Sequence, residues 1–182
     1  EYMKRIGIEP ATNIDWSNVS KSITIVNDYF SKDVVMKTTN GEKAKILSAT
    51  AMFYDFNDPN IATKDIKEIL HEDGVCVLQV SYLLDTIRDV NFYDVIHEHL
   101  EYYSLKTINY LMERNGLTVI DASTNFVNGG SLRVLVTHKE NSKPKSKRYE
   151  EILSEEEKWN LEEIDTYAKN KQKINEIIEK TK

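Results

Sequence analysis

Six short apolar runs recur along this chain: Lys4 to Glu9, Ile23 to Asn27, Ala44 to Ala51, Val75 to Val80, Leu117 to Ala122 and Ser131 to Thr137. Each has the length of a strand, and segments of helical period separate most of them. That alternation is the pattern of a parallel sheet with helices on its faces, so an α/β fold is expected.

The intervening segments carry their own start and stop signals. Ser31 caps a helix over Ser31 to Thr38, which the pair Asn40-Gly41 breaks. After a turn at Asn57 to Asn60, Ile61, Ile66, Ile69 and Leu70 suit one face of a helix ended by Gly74. Leu105, Ile108, Leu111 and Met112 define another from Leu105 to Asn115, closed by Gly116. Asn13 to Lys21 also reads as a short helix, with Asn13 or Asp15 as its cap and Ile14, Trp16 and Val19 as apolar contacts.

Beyond His138 the character changes. A charged linker, 139–148, leads into a Glu- and Lys-rich stretch where Ile152, Leu153, Trp159, Leu161, Ile164, Tyr167, Ile174, Ile177 and Ile178 recur at roughly helical intervals. The expected organisation is an α/β domain over 1–138, a linker over 139–148 and one or two amphipathic helices over 149–182. The chain opens on Glu1, almost directly before a strand-like run, and reads as part of a longer one.

A formal charge of -6 argues against a general binder of nucleic acid, which needs a net basic face. The single cysteine, Cys76, lies in an apolar run and reads as a buried thiol, with no internal disulfide and no cysteine-rich metal site. No stretch has the ~20 apolar residues of a membrane span, and no secretory signal opens the chain, so a cytoplasmic protein is expected.

Ligands of open α/β sheets lie beyond the carboxyl ends of the strands. Glu9 ends the first run in Ile6-Gly7-Ile8-Glu9-Pro10, where a carboxylate can accept both hydroxyl protons of a ribose; a capping or solvated acid is the simpler reading. Asp28, Tyr29 and Phe30 follow the second run, an acid beside rings able to stack on adenine, or simply a turn acid beside a core Phe30. In His97-Glu98-His99 two imidazoles flank a carboxylate. They lack the i, i+4 spacing of helical zinc ligands, which leaves a general base or an ordinary polar loop.

The segment Phe92 to Ser104, with His97-Glu98-His99-Leu100 followed by Tyr102-Tyr103-Ser104, resembles the signature of the sugar C-methyltransferases. Gly7-Ile8-Glu9-Pro10, Asp28 to Phe30, Ser81-Tyr82-Leu83 and Gly129-Gly130-Ser131-Leu132-Arg133 agree in order, and Glu155 to Glu157, Leu161 and Thr166-Tyr167 resemble the family's tail. The resemblance implies a Rossmann-like class I methyltransferase sheet, S-adenosylmethionine as cofactor and a nucleotide-linked keto-sugar as substrate. It implies carbon methylation through an enolate, with His99 as the base, Glu98 beside it and His97 a secondary candidate. Glu9, Asp28, Tyr29 and Phe30 are then the cofactor contacts, and Tyr102, Gly130 and Arg133 the substrate contacts.

The departures from that family are as specific as the agreements. Ile96 stands where an aromatic usually precedes the two histidines, and Ala51 to Asp55 lacks a histidine common there. No Glu-x-Gly-x-x-x-Gly-like loop occurs, and Gly7 stands alone. The strand carrying that loop belongs between Lys4 to Glu9 and Ala44 to Ala51, so two unpaired strand edges are expected there. Two rival readings follow: a non-catalytic methyltransferase-like binding or scaffold module, and a dinucleotide oxidoreductase, which its missing G-x-G-x-x-G disfavours. Association of copies through those edges or the C-terminal helix is a further expectation.

Overall fold

The computed structural model describes residues 3–181. Strand β1 (Arg5–Ile8) pairs in parallel with β2 (Ile23–Val26). A second sheet has the order β3-β4-β6-β5, built from β3 (Ala44–Thr50), β4 (Leu70–Ser81), β5 (Leu117–Asn125) and β6 (Ser131–His138). Among the described residues β1 and β3 form no ladder with each other, so each keeps one unpaired edge, as the absent loop-bearing strand led us to expect.

The two sheets nevertheless run the same way. Lys4, just before β1, pairs with Glu42, just before β3, at 2.8 Å. Phe30, just after β2, meets Phe56, beyond the end of β3, with ring centroids 5.9 Å apart. The carboxyl ends of β1, β2 and β3 therefore open on one side of the molecule.

The larger sheet is mixed rather than parallel. Here β3 and β4 are parallel, while β6 runs antiparallel to both β4 and β5. The reason is connection length: residues 126–130 join β5 to β6, too few for the crossover that parallel neighbours require. Across the β4–β6 ladder, Cys76, Leu78 and Val80 face Val136, Val134 and Leu132 in the core, while Gln79 and Arg133 share the more open face.

Helices α1 (Lys32–Thr39), α2 (Pro59–Ile69) and α4 (Leu105–Arg114) confirm the segments read from capping and period. The Ser31 hydroxyl accepts from the Val34 amide, and the Asp58 carboxylate accepts from Asn60 and Ile61. Ser104 and Thr107 close a reciprocal capping box on α4. The short α3 (Leu83–Arg88) gave no clear period signal.

The expected helix over Asn13 to Lys21 is not formed. Asp15 instead accepts from the amide and hydroxyl of Ser17, and Val19 closes a turn onto the Trp16 carbonyl. Short polar side chains of this kind divert the backbone from a helix. Strand β4 also starts earlier than expected, at Leu70. Its register shifts between the pairs Ala44↔Leu70 and Ile46↔Val75. A side chain on Gly74 would come within 2.9 Å of the Ala44 and His71 carbonyl oxygens, which is why glycine stands in this irregularity.

Beyond β6, α5 (Lys147–Lys158) and α6 (Ile164–Thr181) supply two amphipathic helices. Helix α5 packs on β5 and α4, and Tyr149 and Leu161 join the same core as Phe53, Leu78 and Val134. Among the described residues no helix is long and apolar enough to cross a membrane.

Candidate active site

The ends of β3 and β4 frame a small cavity lined by Ala51, Tyr54, Gln79, Ser81, Asp94 and Ser131, among others. Because β6 is antiparallel, Ser131 at its start lies opposite Ser81 at the end of β4. The loop between α3 and α4 folds over this opening and delivers the histidine segment. It is fastened by the amides of Leu100 and Glu101, which both donate to the Tyr54 carbonyl at 3.1 and 3.2 Å.

The structure separates the members of the His-Glu-His run. His99 is inside: its side chain is 13% exposed, its ring lies 4.3 Å from the Tyr54 ring, and Nδ1 is 3.6 Å from Asp94 Oδ1. That nitrogen is buried and has no hydrogen-bond partner, whereas Nε2 is not among the buried unpartnered atoms. His97 is outside, with its side chain 91% exposed and paired with Glu98 at 3.1 Å. Neither the helical nor the strand geometry applies, because residues 95–102 form turns and extended loop.

Three residues to which the sequence assigned no role complete the surroundings: Asp94, inside the segment that carries the resemblance, and Tyr54 and Asp55, from the run 51–55. Asp94 accepts from the Ser81 hydroxyl, and its backbone carbonyl accepts from Tyr102 Oη at 3.2 Å. Burial raises the Tyr54 phenol above its ordinary value, and the charges of Asp55 and Asp94 add to that. Burial likewise raises Asp55, opposed by the nearby His99 and reinforced by Glu98. No spacing rule marks these partners, since the loop's turns, rather than a periodic element, bring them together.

The remaining candidates lie in separate positions. Tyr102 is half-buried, with its ring 6.3 Å from that of His99. Gly130 has φ +131°, and a Cβ there would collide with Asp85 of α3. Its carbonyl accepts from the Tyr82 amide at 3.1 Å, and Asn91 holds the Gly129 carbonyl at 2.7 Å. Arg133 is exposed on β6, with Nε donating to Ser123 Oγ at 3.3 Å.

At the ends of β1 and β2, Glu9 Oε1 accepts from the Ala11 amide at 2.9 Å and Asn27 ties the Glu9 and Ala11 carbonyls together. The other Glu9 carboxylate oxygen takes no bond from the described residues. Asp28 accepts from the Tyr29 amide at 2.8 Å, Tyr29 is 76% exposed, and Phe30 is committed to Phe56. Glu9 and the Tyr54–Asp94 cavity are on the same side of the molecule, yet Glu9 does not line that cavity.

A larger cavity, about 520 Å³, is a groove between the end of α3 and helices α5 and α6, with Trp159, Lys169 and Lys173 on its walls. It holds none of the candidate residues.

Parallel strands with acids beyond their carboxyl ends, followed by an antiparallel β6 set beside β4, are features shared with the Rossmann-like methyltransferase sheet. Residues 1–122 match the family model described as methyltransferase domain, and residues 126–182 match the C-methyltransferase C-terminal domain. The chain belongs to this methyltransferase family. The second match begins just before β6, so the C-terminal family unit includes a central strand of the sheet.

The C-methyltransferase NovU of Streptomyces niveus is 27% identical over 130 residues, covering 71% of this chain and 31% of that protein. The chain thus spans about a third of the length of this curated relative. Among solved structures, the N-methyltransferase NodS of Bradyrhizobium japonicum superposes with a TM-score of 0.53 at 12% identity, covering 74% of each chain. An S-adenosylmethionine-dependent methyltransferase of Thermotoga maritima gives 0.52 at 16% identity, covering 74% of this chain and 72% of that one. At such identities these structures establish the fold.

Proposed function

We propose that this chain forms the core of an S-adenosylmethionine-dependent C-methyltransferase acting on a nucleotide-linked keto-sugar. The observation that carries this reading is the burial of His99 beside Asp94 at the carboxyl ends of β3 and β4, with Nδ1 toward the carboxylate. Membership in the methyltransferase family, together with the C-methyltransferase C-terminal match, supports carbon as the acceptor atom.

The residues for the adenosine half of the cofactor fit. The open oxygen of Glu9 is suited to a ribose hydroxyl, and the exposed Tyr29 to a flat base; Asp28 and Phe30 frame the same turn. When bound, the cofactor supplies an electrophilic methyl group. A glycine loop for its methionine end is absent from the described residues.

His99 acts on the sugar. A neutral imidazole accepts the proton on the carbon next to the ketone, the C–H electron pair becomes the enolate, and the resulting carbanion centre is the nucleophile for the methyl group. Tyr54 and Tyr102 flank the imidazole, with ring centroids 4.3 and 6.3 Å from it. Tyr102, Gly130 and Arg133 remain the candidates for contact with the sugar and its carrier.

The test is incubation with methyl-labelled S-adenosylmethionine and a nucleotide-linked keto-sugar, with the product read by NMR, alongside calorimetric titration with S-adenosylhomocysteine. A new carbon–methyl bond next to the ketone supports the reading. Tight binding of the homocysteine product without methyl transfer favours the non-catalytic module, and label on oxygen or nitrogen overturns the carbon assignment.

A further inference from the structure

We propose that Asp94 is the positioning residue of this site, holding the His99 imidazole as its Nδ1–H tautomer so that Nε2 carries the free lone pair. The inference rests on the reading of His99 as the base and deepens it.

Three observations converge on Asp94. Its carboxylate is fixed by the Ser81 hydroxyl, which donates to Oδ2 from the last residue of β4. Its backbone is fixed as well, by the Asp94 amide on the Asn91 carbonyl at 3.1 Å and by Tyr102 Oη on the Asp94 carbonyl. The remaining oxygen, Oδ1, is 3.6 Å from His99 Nδ1, a buried nitrogen with no other hydrogen-bond partner.

Leaving a buried polar nitrogen unpaired is costly, and the carboxylate is the acceptor within reach. The distance is slightly long for a hydrogen bond, and such bonds commonly tighten when a ligand closes the site. An ionised carboxylate only accepts, so it selects the tautomer with hydrogen on Nδ1. The other ring nitrogen is then the one able to take a proton. Asp94 thereby acts through His99, without touching the reacting carbon.

Other charged groups do not supply this geometry. Asp55 interacts with His99 through space, Tyr54 packs its ring at a tilt against the imidazole, and Tyr102 bonds the Asp94 backbone rather than the imidazole. The tautomer is set by the group facing Nδ1, and that group is the Asp94 carboxylate.

The experiment is nitrogen-15 NMR of the histidine rings in the chain as given, without cofactor or substrate, for wild type, Asp94→Asn and Asp94→Glu. Wild-type His99 is expected as the Nδ1–H tautomer. Asp94→Asn, whose amide can donate to Nδ1, should convert it to Nε2–H and lower methyl transfer about 100-fold or more. Asp94→Glu, which keeps an acceptor-only group, should retain the wild-type tautomer. A wild-type Nε2–H signal, or an unchanged tautomer in Asp94→Asn, overturns the proposal; so does loss of the tautomer in both variants alike, which marks a folding effect. If the tautomer responds as expected while His99→Gln keeps full methyl transfer, it is the base reading, and not the positioning of the ring, that fails.

Discussion

Glu156 of α5 and Tyr82, the residue following β4, meet in the core: the phenol donates to Glu156 Oε1 at 3.0 Å. The same carboxylate accepts from the Leu105 and Lys106 amides at 2.5 and 3.1 Å, the first turn of α4. A carboxylate at a helix N-terminus satisfies orphan donors and complements the helix dipole. One side chain from the C-terminal region thus clamps the strand end and the helix that flank the candidate site. Replacing it by alanine removes the acceptor for three donors, and Glu156→Ala should cost about 2–3 kcal/mol of stability in a denaturant titration.

Glu156 also predicts a pH dependence. Burial raises its carboxyl above the ordinary 4.5, against the lowering effect of its hydrogen bonds. The folded state therefore holds this proton more tightly than the unfolded chain does, and the corresponding stabilisation is complete below 4.5 and is lost as pH rises through the raised folded value. In Glu156→Gln that contribution disappears. Melting curves should show the stability of Glu156→Gln relative to wild type increasing with pH across this window; a constant difference would contradict the burial assigned to this group.

Gly130 is fixed by both backbone and neighbour. With φ at +131° and Asp85 where a Cβ would lie, Gly130→Ala should lose about 1–3 kcal/mol and disturb the junction of β6 with Tyr82. Gly41 also has a positive φ, but nothing lies within 4 Å of its Cβ position, so Gly41→Ala should cost less in the same melt.

The cofactor assignment separates Glu9, beyond the carboxyl end of β1, from Glu42, an acid at the opposite ends of the strands. Glu9→Ala should weaken S-adenosylhomocysteine binding at least about tenfold by calorimetry, the size expected for losing a charge-assisted hydrogen bond. Glu42→Ala, which removes only the exposed pair with Lys4, should leave binding unchanged. Equal effects of both would argue against a ribose role for Glu9.

Much of this fold is legible in the chain because the buried runs differ in period from the helices around them. Val75 to Val80 and Ser131 to Thr137 read as strands, and Leu105 to Met112 as a helix, from the residues that form the core. The direction of β6 was not legible, since apolar content does not encode strand sense; the brevity of 126–130 was the available signal. The helix expected at Asn13 to Lys21 failed because Asp15 and Ser17 satisfy each other locally. At the site, the resemblance singled out His97, Glu98 and His99 together, whereas turns bury only the last. Asp94 and Ser81 lie in segments that carry the resemblance, and Tyr54 in the run 51–55, but no spacing relates the three, so their meeting around His99 was not legible.

In the proposed reaction His99 removes the proton next to the ketone. The most direct measurement of this step is NMR of solvent deuterium exchange at that carbon in a nucleotide-linked keto-sugar, for wild type, His99→Gln and His97→Gln. Exchange is expected in wild type, with a loss of about 100- to 10,000-fold in His99→Gln and near wild-type exchange in His97→Gln. Exchange that survives in His99→Gln, or that depends on the exposed His97 instead, would contradict this role for His99.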